Sequence, residues 1–205
     1  MAKILICIPC MDMVATGFCQ SLAMLQKGGH ECAIAFEAGS LIYDARNKLA
    51  KKALKMGAEY TMWFDSDMIF EPDVMLKLLA RNEDFVSGTY YRRSPPYSPV
   101  AFGKCDVQEK KWTDVELQED IQSVEGVGFG CVLLKTSVLF DVAAQFDTWF
   151  EPVNGYGEDL SFCWRARQVG YDIKLDPKIQ LGHVGHIVVT EQFYKAYQGG
   201  KNDEG

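Results

Sequence analysis

The segment "AEYTMWFDSDMIF", residues 58–70, decides the fold reading. Tyr60–Phe64 is a short apolar run of the kind that forms a buried strand. It ends abruptly in Asp65-Ser66-Asp67 and turns apolar again at Met68. Paired carboxylates beside buried hydrophobics repel each other and cost desolvation energy, so something must compensate them. In a strand, side chains at i and i+2 point to one side, and two such carboxylates suit a hard divalent cation. A solvated turn with helix-capping Asp is the plain alternative, because D-x-D by itself is a weak motif.

The stretches before this segment alternate regularly. "KILICIP" (3–9) is a continuous apolar run stopped by Pro9, and "ECAIAFEA" (31–38) is a second strand. Between them Thr16 caps a helix whose Phe18, Leu22 and Leu25 share a face, ended by Gly28-Gly29. In 40–58, Ile42, Ala45, Leu49, Ala53 and Met56 recur at helical spacing, with Gly57 as the stop. Strand–helix–strand–helix–strand predicts a parallel sheet with right-handed crossovers, with ligands beyond the strands' carboxyl ends. The stretches following Pro9, Glu37 and Phe64 are thus expected to line one crevice.

Downstream the pattern becomes mixed. A short helix from Pro72 to Arg81, a strand at 85–91 and a Pro-rich loop at 92–99 come first. Antiparallel strands are expected in "VAFGK", "KKWTDVE" and "IQSVEGVGFGCVLLK", helices at 137–146 and 158–170, and short strands in "YDIKLDP" and "IQLGHVGH". With 205 residues and no evident linker, one domain is expected: residues 1–91 as a nucleotide-binding half, 92–190 as an acceptor and metal half, and 198–205 as a frayed tail.

Composition narrows the function. A net charge of −7 argues against a nucleic-acid binder. No apolar run reaches the roughly 20 residues that span a bilayer, and the N-terminus does not read as a signal peptide. The seven Cys, an odd number scattered in apolar segments, read as reduced core residues of a cytoplasmic protein. "CIPC" (7–10) straddles a strand end rather than a helix start, so it lacks the setting of a redox pair. "GVGFG" (126–130) has no Lys-Ser/Thr after it and is no phosphate loop.

A second acidic pair, Glu158-Asp159, opens a helix after a Gly-rich loop. Capping accounts for one carboxylate there, and the other is free to act as a general base. His183 and His186 follow a strand, and imidazole suits Mn²⁺ as a ligand. Trp149, Phe150 and Tyr156, in the loop before Glu158, are either packing residues or a sugar-stacking lid.

Taken in order, "ILICIPCMD", "LIYDARNKLAKKAL", "AEYTMWFDSDMIFEPDVMLKLL", "VGFGCVLLK", "GEDLSFCWRARQVGYDI" and "LGHVG" resemble the segments of GT-A-fold glycosyltransferases, especially the small family 2-like enzymes of bacteria and phages. The resemblance spans residues 3–186. It implies an α/β fold with a mixed, mostly parallel central sheet flanked by helices. It also implies a divalent metal, Mn²⁺ or Mg²⁺, and a nucleotide-sugar donor such as a UDP- or GDP-hexose. Asp67 and His183 would hold the metal, with Asp65 on the metal through water or on the ribose or sugar. Ser66 would lie with Asp65 on the donor. Glu37 would meet the base or ribose, Pro9 and its loop would flank the nucleoside, and Arg46 would lie near the diphosphate. Arg92 and Arg93 are further candidate donors to the diphosphate. Asp159 would deprotonate the acceptor hydroxyl in an inverting reaction, with Glu158 as its rival. Glu37 stands where Asp is commoner, and "CIPCMDM" lacks the usual aromatic-Asn pair, so the base stays open. The acceptor stays open too: a glycan, a lipid-linked sugar, a protein or a small molecule. A sugar nucleotidyltransferase would need Lys or Arg in the loop after the first strand, and "PCMDMVATG" has neither. A phosphatase with a nucleophilic Asp would place its D-x-D earlier, before Gly-Thr. A non-catalytic nucleotide-sugar-binding module is the remaining alternative.

Overall fold

The computed structural model describes residues 1–185 and 188–202, excepting the side chains of 200–202. His186, a candidate ligand, lies outside the described residues, as do 203–205 of the expected tail. The strands are β1 (Lys3–Cys10), β2 (Glu31–Ala38), β3 (Tyr60–Phe64), β4 (Met68–Ile69), β5 (Phe85–Thr89), β6 (Ala101–Asp106), β7 (Lys111–Asp114), β8 (Gln122–Val124), β9 (Gly126–Val127), β10 (Cys131–Lys135), β11 (Ile173–Gln180), β12 (Gly182–Val184) and β13 (Val188–Val189). The helices are α1 (Thr16–Met24), α2 (Ile42–Met56), α3 (Val74–Leu79), α4 (Thr136–Phe146), α5 (Glu158–Gln168) and α6 (Glu191–Asn202).

Seven strands form the central sheet in the order β2-β1-β3-β10-β5-β11-β8. β1 runs parallel to β2 and β3, and β5 runs parallel to β11; β10 and β8 run antiparallel to their neighbours. The sheet is therefore mixed and mostly parallel, as expected. Its inner strands are apolar on both faces because helices cover both. In β1, Leu5 and Cys7 pack on one side with Leu49 and Ala53 of α2, Val138 of α4 and Phe162 of α5. Ile4, Ile6 and Ile8 pack on the other side with Phe18 of α1 and Val74 and Leu78 of α3. Truncating a fully buried leucine such as Leu49 to Ala would cost about 2–5 kcal/mol.

Two small sheets hang from this frame, β13-β12-β4 and β7-β6-β9. The run "IQSVEGVGFGCVLLK" contains three short strands, β8, β9 and β10, which pair with β11, β6 and β3/β5 respectively. Its glycines explain the break. A Cβ on Gly128 would sit 2.0 Å from the Tyr90 hydroxyl, and one on Gly130 would sit 2.7 Å from the Tyr90 ring. The chain passes over a buried phenol that only glycine accommodates.

Glu191–Asn202 is helix α6, which takes in residues 198–202 of the expected tail. Thr190 Oγ1 accepts the Phe193 backbone N–H at 3.2 Å, a helix-start signal that the polar tail composition obscures. Phe193 and Tyr197 both pack edge-on against Tyr97 of the Pro-rich loop.

Candidate active site

The site forms at the carboxyl ends of β1, β2 and β3. Pro9 and Glu37 are register partners across β1 and β2, so they lie side by side at that edge. Pro9 is buried, and Glu37 is half-exposed, 3.6 Å from Lys48 Nζ. Ser66 lies in the turn after β3, and its carbonyl accepts the Ala15 N–H at 3.0 Å, tying that turn to the loop after β1.

Asp65 and Asp67 lie between β3 and β4, at a turn over residues 66–67, rather than within a strand, and they meet different partners. Asp65 faces Arg46, whose Nη2 donates to Oδ1 at 2.7 Å. Arg46 comes from the buried stripe of α2, formed by Ala45, Arg46, Leu49, Ala50 and Ala53. It is only 2% exposed, and its Nε also donates to Glu158 Oε1 at 3.2 Å. Its guanidinium lies 5.3 Å from the Phe129 ring and 5.9 Å from the Phe150 ring. Burial opposes its charge, but Asp65, Glu158 and Asp159 outweigh this and hold its pKa above the ordinary value. The guanidinium is buried, and its Nη1 has no hydrogen-bond partner among the described residues.

Asp67 faces a different set. β12 pairs with β4, Gly182 opposite Ile69 and His183 opposite Met68, and the Val184 N–H donates to the Asp67 carbonyl at 2.8 Å. This ladder carries His183 to Asp67, with Nε2 at 3.5 Å from Oδ2. Nδ1 lies 2.8 Å from the Tyr91 carbonyl, which only accepts, so Nδ1 carries the proton. In the neutral ring, the form that binds a metal, Nε2 carries a lone pair on the Asp67 side; in the protonated ring it faces the carboxylate as a donor. A carbonyl that holds the far ring nitrogen orients a histidine for metal binding. Arg93, from the Pro-rich loop, donates to the same Oδ2 at 2.7 Å. Burial pushes the Asp67 carboxyl up, but the hydrogen bond and charge of a protonated His183, then Arg93, prevail and hold it below the usual range. A carboxylate and an imidazole fit Mn²⁺ or Mg²⁺ as a donor pair, with phosphate oxygens and water to complete the shell. Among the described residues no third His, Cys, Asp or Glu joins them to make a three-ligand cluster.

Glu158 and Asp159 open α5, and Gly157, not a carboxylate, stands at its cap position. Glu158 is drawn to Arg46. Among the described residues Asp159 makes no ion pair; its Oδ1 accepts the Leu160 N–H at 2.7 Å. Burial, then the Glu158 charge, push its carboxyl up to about 7, against the opposing pull of the Leu160 N–H and Arg46. That range suits a general base near neutral pH.

Trp149 and Phe150 are packing residues, not a lid. Trp149 Nε1 donates to the Leu139 carbonyl at 2.7 Å, and Phe150 is fully buried and stacks on Phe162. Tyr156 does reach a cleft beside Asp159. Tyr90 was not legible as a site residue. Its buried ring meets His183 edge-on at 5.4 Å, its hydroxyl accepts the Gly130 N–H at 3.1 Å, and burial, Asp65 and Asp159 keep it protonated. The glycines at 126, 128 and 130 were the available signal. All seven cysteines are free, and burial lifts the Cys7 thiol far above its ordinary value, which removes the redox reading of "CIPC".

No family model matches the sequence, and no curated protein matches it either. Among solved structures, the chain is similar to A197 from STIV, with a TM-score of 0.66 and 20% identity over 89% of this chain and 86% of that one. It is also similar to GalNAc-T7, solved with UDP, GalNAc and Mn2+, with a TM-score of 0.63 and 11% identity over 90% of this chain. It spans 44% of the GalNAc-T7 chain, under half its length. No described helix is long and apolar enough to cross a membrane. The shared architecture and the mixed seven-stranded sheet give this chain a GT-A-type fold.

Proposed function

We propose that this protein is a glycosyltransferase that moves a sugar from a nucleotide-diphosphate donor, a UDP- or GDP-hexose, to a hydroxyl acceptor. Asp67 and His183 would hold a divalent ion, Mn²⁺ or Mg²⁺. The observation that carries this reading is the Asp67–His183 pair just beyond the carboxyl end of β3, with Nε2 at 3.5 Å from Oδ2 and Nδ1 held by the Tyr91 carbonyl. The UDP and Mn2+ in the GalNAc-T7 structure, on the same fold, support the same ligand classes.

A divalent ion at this pair supplies Lewis-acid neutralisation of the charge that builds on the departing diphosphate. The chain's own residues do the rest. Pro9 and Glu37 flank the nucleoside, Asp65 and Ser66 border the donor sugar, and Arg46 fixes Asp65 and Glu158 in place. Arg93, already at Asp67, is within the diphosphate's reach and supplies a bidentate donor. Asp159, ionised above its raised pKa, accepts the proton of the acceptor hydroxyl. That oxygen bonds to the anomeric carbon as the bond to the diphosphate breaks, in one inverting displacement that releases the nucleoside diphosphate.

Donor consumption measured across UDP- and GDP-hexoses with Mn²⁺ tests this. Turnover of one donor that stops with EDTA is the expected result. Turnover indifferent to EDTA, or nucleotide binding without any turnover, would favour metal-free chemistry or a binding module instead.

A further inference from the structure

A cleft of about 360 Å³ opens beside Asp159, lined by Arg92, Phe102, Trp112, Tyr156, Gly157 and Asp159 among others. Trp112 belongs to β7, a strand exposed throughout, and keeps 55% of its surface in solvent. An indole left this open in a concave, charged setting is unusual, because large aromatics are usually mostly buried. A T-shaped contact with Tyr156, at 5.8 Å and 86°, braces it. The Tyr156 hydroxyl is buried and has no hydrogen-bond partner among the described residues. A Cβ on Gly157 would come within 2.8 Å of Asp159 Oδ1, so glycine there keeps the carboxylate's space clear.

The charges on this lining decide which ligand fits. Arg92 lies 5.6 Å from the Phe102 ring and is spent on Asp114, at 3.2 Å. The other ionisable side chains on the lining are Asp159 and Tyr156, so the cleft offers an anionic acceptor no cation besides the paired Arg92. A pyranose matches the rest: its C–H face suits an open indole, and its hydroxyl rim suits Asp159 and Tyr156. We infer that the acceptor is a neutral saccharide whose terminal ring stacks on Trp112 and presents a hydroxyl to Asp159. This deepens the glycosyl-transfer reading and rests on it.

The test uses the full chain labelled with fluorotryptophan, whose four Trp signals are assigned through Trp112→Phe. The probes are methyl glycosides of neutral hexoses and N-acetylhexosamines, and their disaccharides. At least one should shift the Trp112 signal saturably. In transfer assays with that saccharide, Trp112→Ala should raise the acceptor KM about tenfold or more, as expected for loss of one apolar face. Trp112→Phe should restore most of it. A Trp112 signal silent to every saccharide, or moved only by peptides or polyprenyl phosphates, overturns the inference, as does an unchanged acceptor KM in Trp112→Ala. UDP and GDP are titrated with Mn²⁺ into the same sample. Intact nucleotide binding beside a silent Trp112 sinks this inference alone, whereas absent nucleotide binding sinks the glycosyl-transfer reading.

Discussion

The turn after β3 and the start of α5 each carry two acidic residues, and Arg46 divides both pairs the same way. It takes Asp65 from the first and Glu158 from the second. What it leaves differs sharply. Asp67 meets Arg93 and His183 and is held below the usual carboxylate range. Asp159 makes no ion pair among the described residues and is pushed up to about 7. One buried guanidinium thus turns two like-charged pairs into two inner anchors and two outer groups of opposite character. A carboxylate kept ionised suits cation binding, and one poised near neutrality suits proton transfer.

The sharpest way to break this comparison is to neutralise one outer group. Asp159→Asn should lower turnover about 10²–10⁴-fold, the usual worth of a general base, while nucleotide binding persists. In the unmodified protein kcat/KM should rise as pH passes through the raised pKa, because only the ionised form accepts a proton, and Asp159→Asn should erase that limb. Equal loss of binding and turnover would collapse the distinction between the two pairs.

Removing the divider comes next. Arg46→Ala would leave Asp65 and Glu158 crowded without a partner and open a gap beside Phe129 and Phe150. The cost should be about 3–5 kcal/mol in urea unfolding, the range for breaking a buried pair by losing one member. A loss below about 1 kcal/mol would mean that Arg46 does not organise the site.

A smaller effect sits in the pH dependence of stability. The folded-state pKa of Asp159 is raised, so between its ordinary value of 3.8 and about 7 the folded chain holds a proton that the unfolded chain has released. Stability contributed by this group therefore falls as pH rises through that window, and Asp159→Asn should flatten the fall. The lowered pKa of Asp67 acts with the opposite sign, adding stability that is lost as pH drops through its folded value. An unchanged pH profile in Asp159→Asn would put the raised pKa in doubt.

The smallest effect is expected at Arg93. Its pair with Asp67 is half-exposed, so Arg93→Ala should change unfolding stability by no more than about 1 kcal/mol. A larger loss would make Arg93 a structural strut.

How much of this was legible depends on the range of the interactions. β2 and β3 fall where their apolar runs place them, at Glu31–Ala38 and Tyr60–Phe64, because those runs are bounded locally by turns and carboxylates. The helical stripe of α2 was equally plain, and it is the stripe that buries Arg46. The antiparallel insertion of β10 between β3 and β5 was not legible: it joins residues over forty positions apart, and nothing local marks the pairing. For the site, the acidic pairs and His183 stand out by residue type. Their division by Arg46 does not, since Arg46 lies 112 residues from Glu158. Trp112 was read only as part of a strand, because exposure is not written in the residue itself.

The central claim is that Asp67, with His183, is the cation-holding member of its pair. Calorimetric titration of UDP and GDP, with Mn²⁺ and again with EDTA, into the unmodified chain and Asp67→Ala tests it most directly. The account predicts metal-dependent binding of one nucleotide, lost in EDTA and lost in Asp67→Ala. Binding that survives both treatments would contradict it.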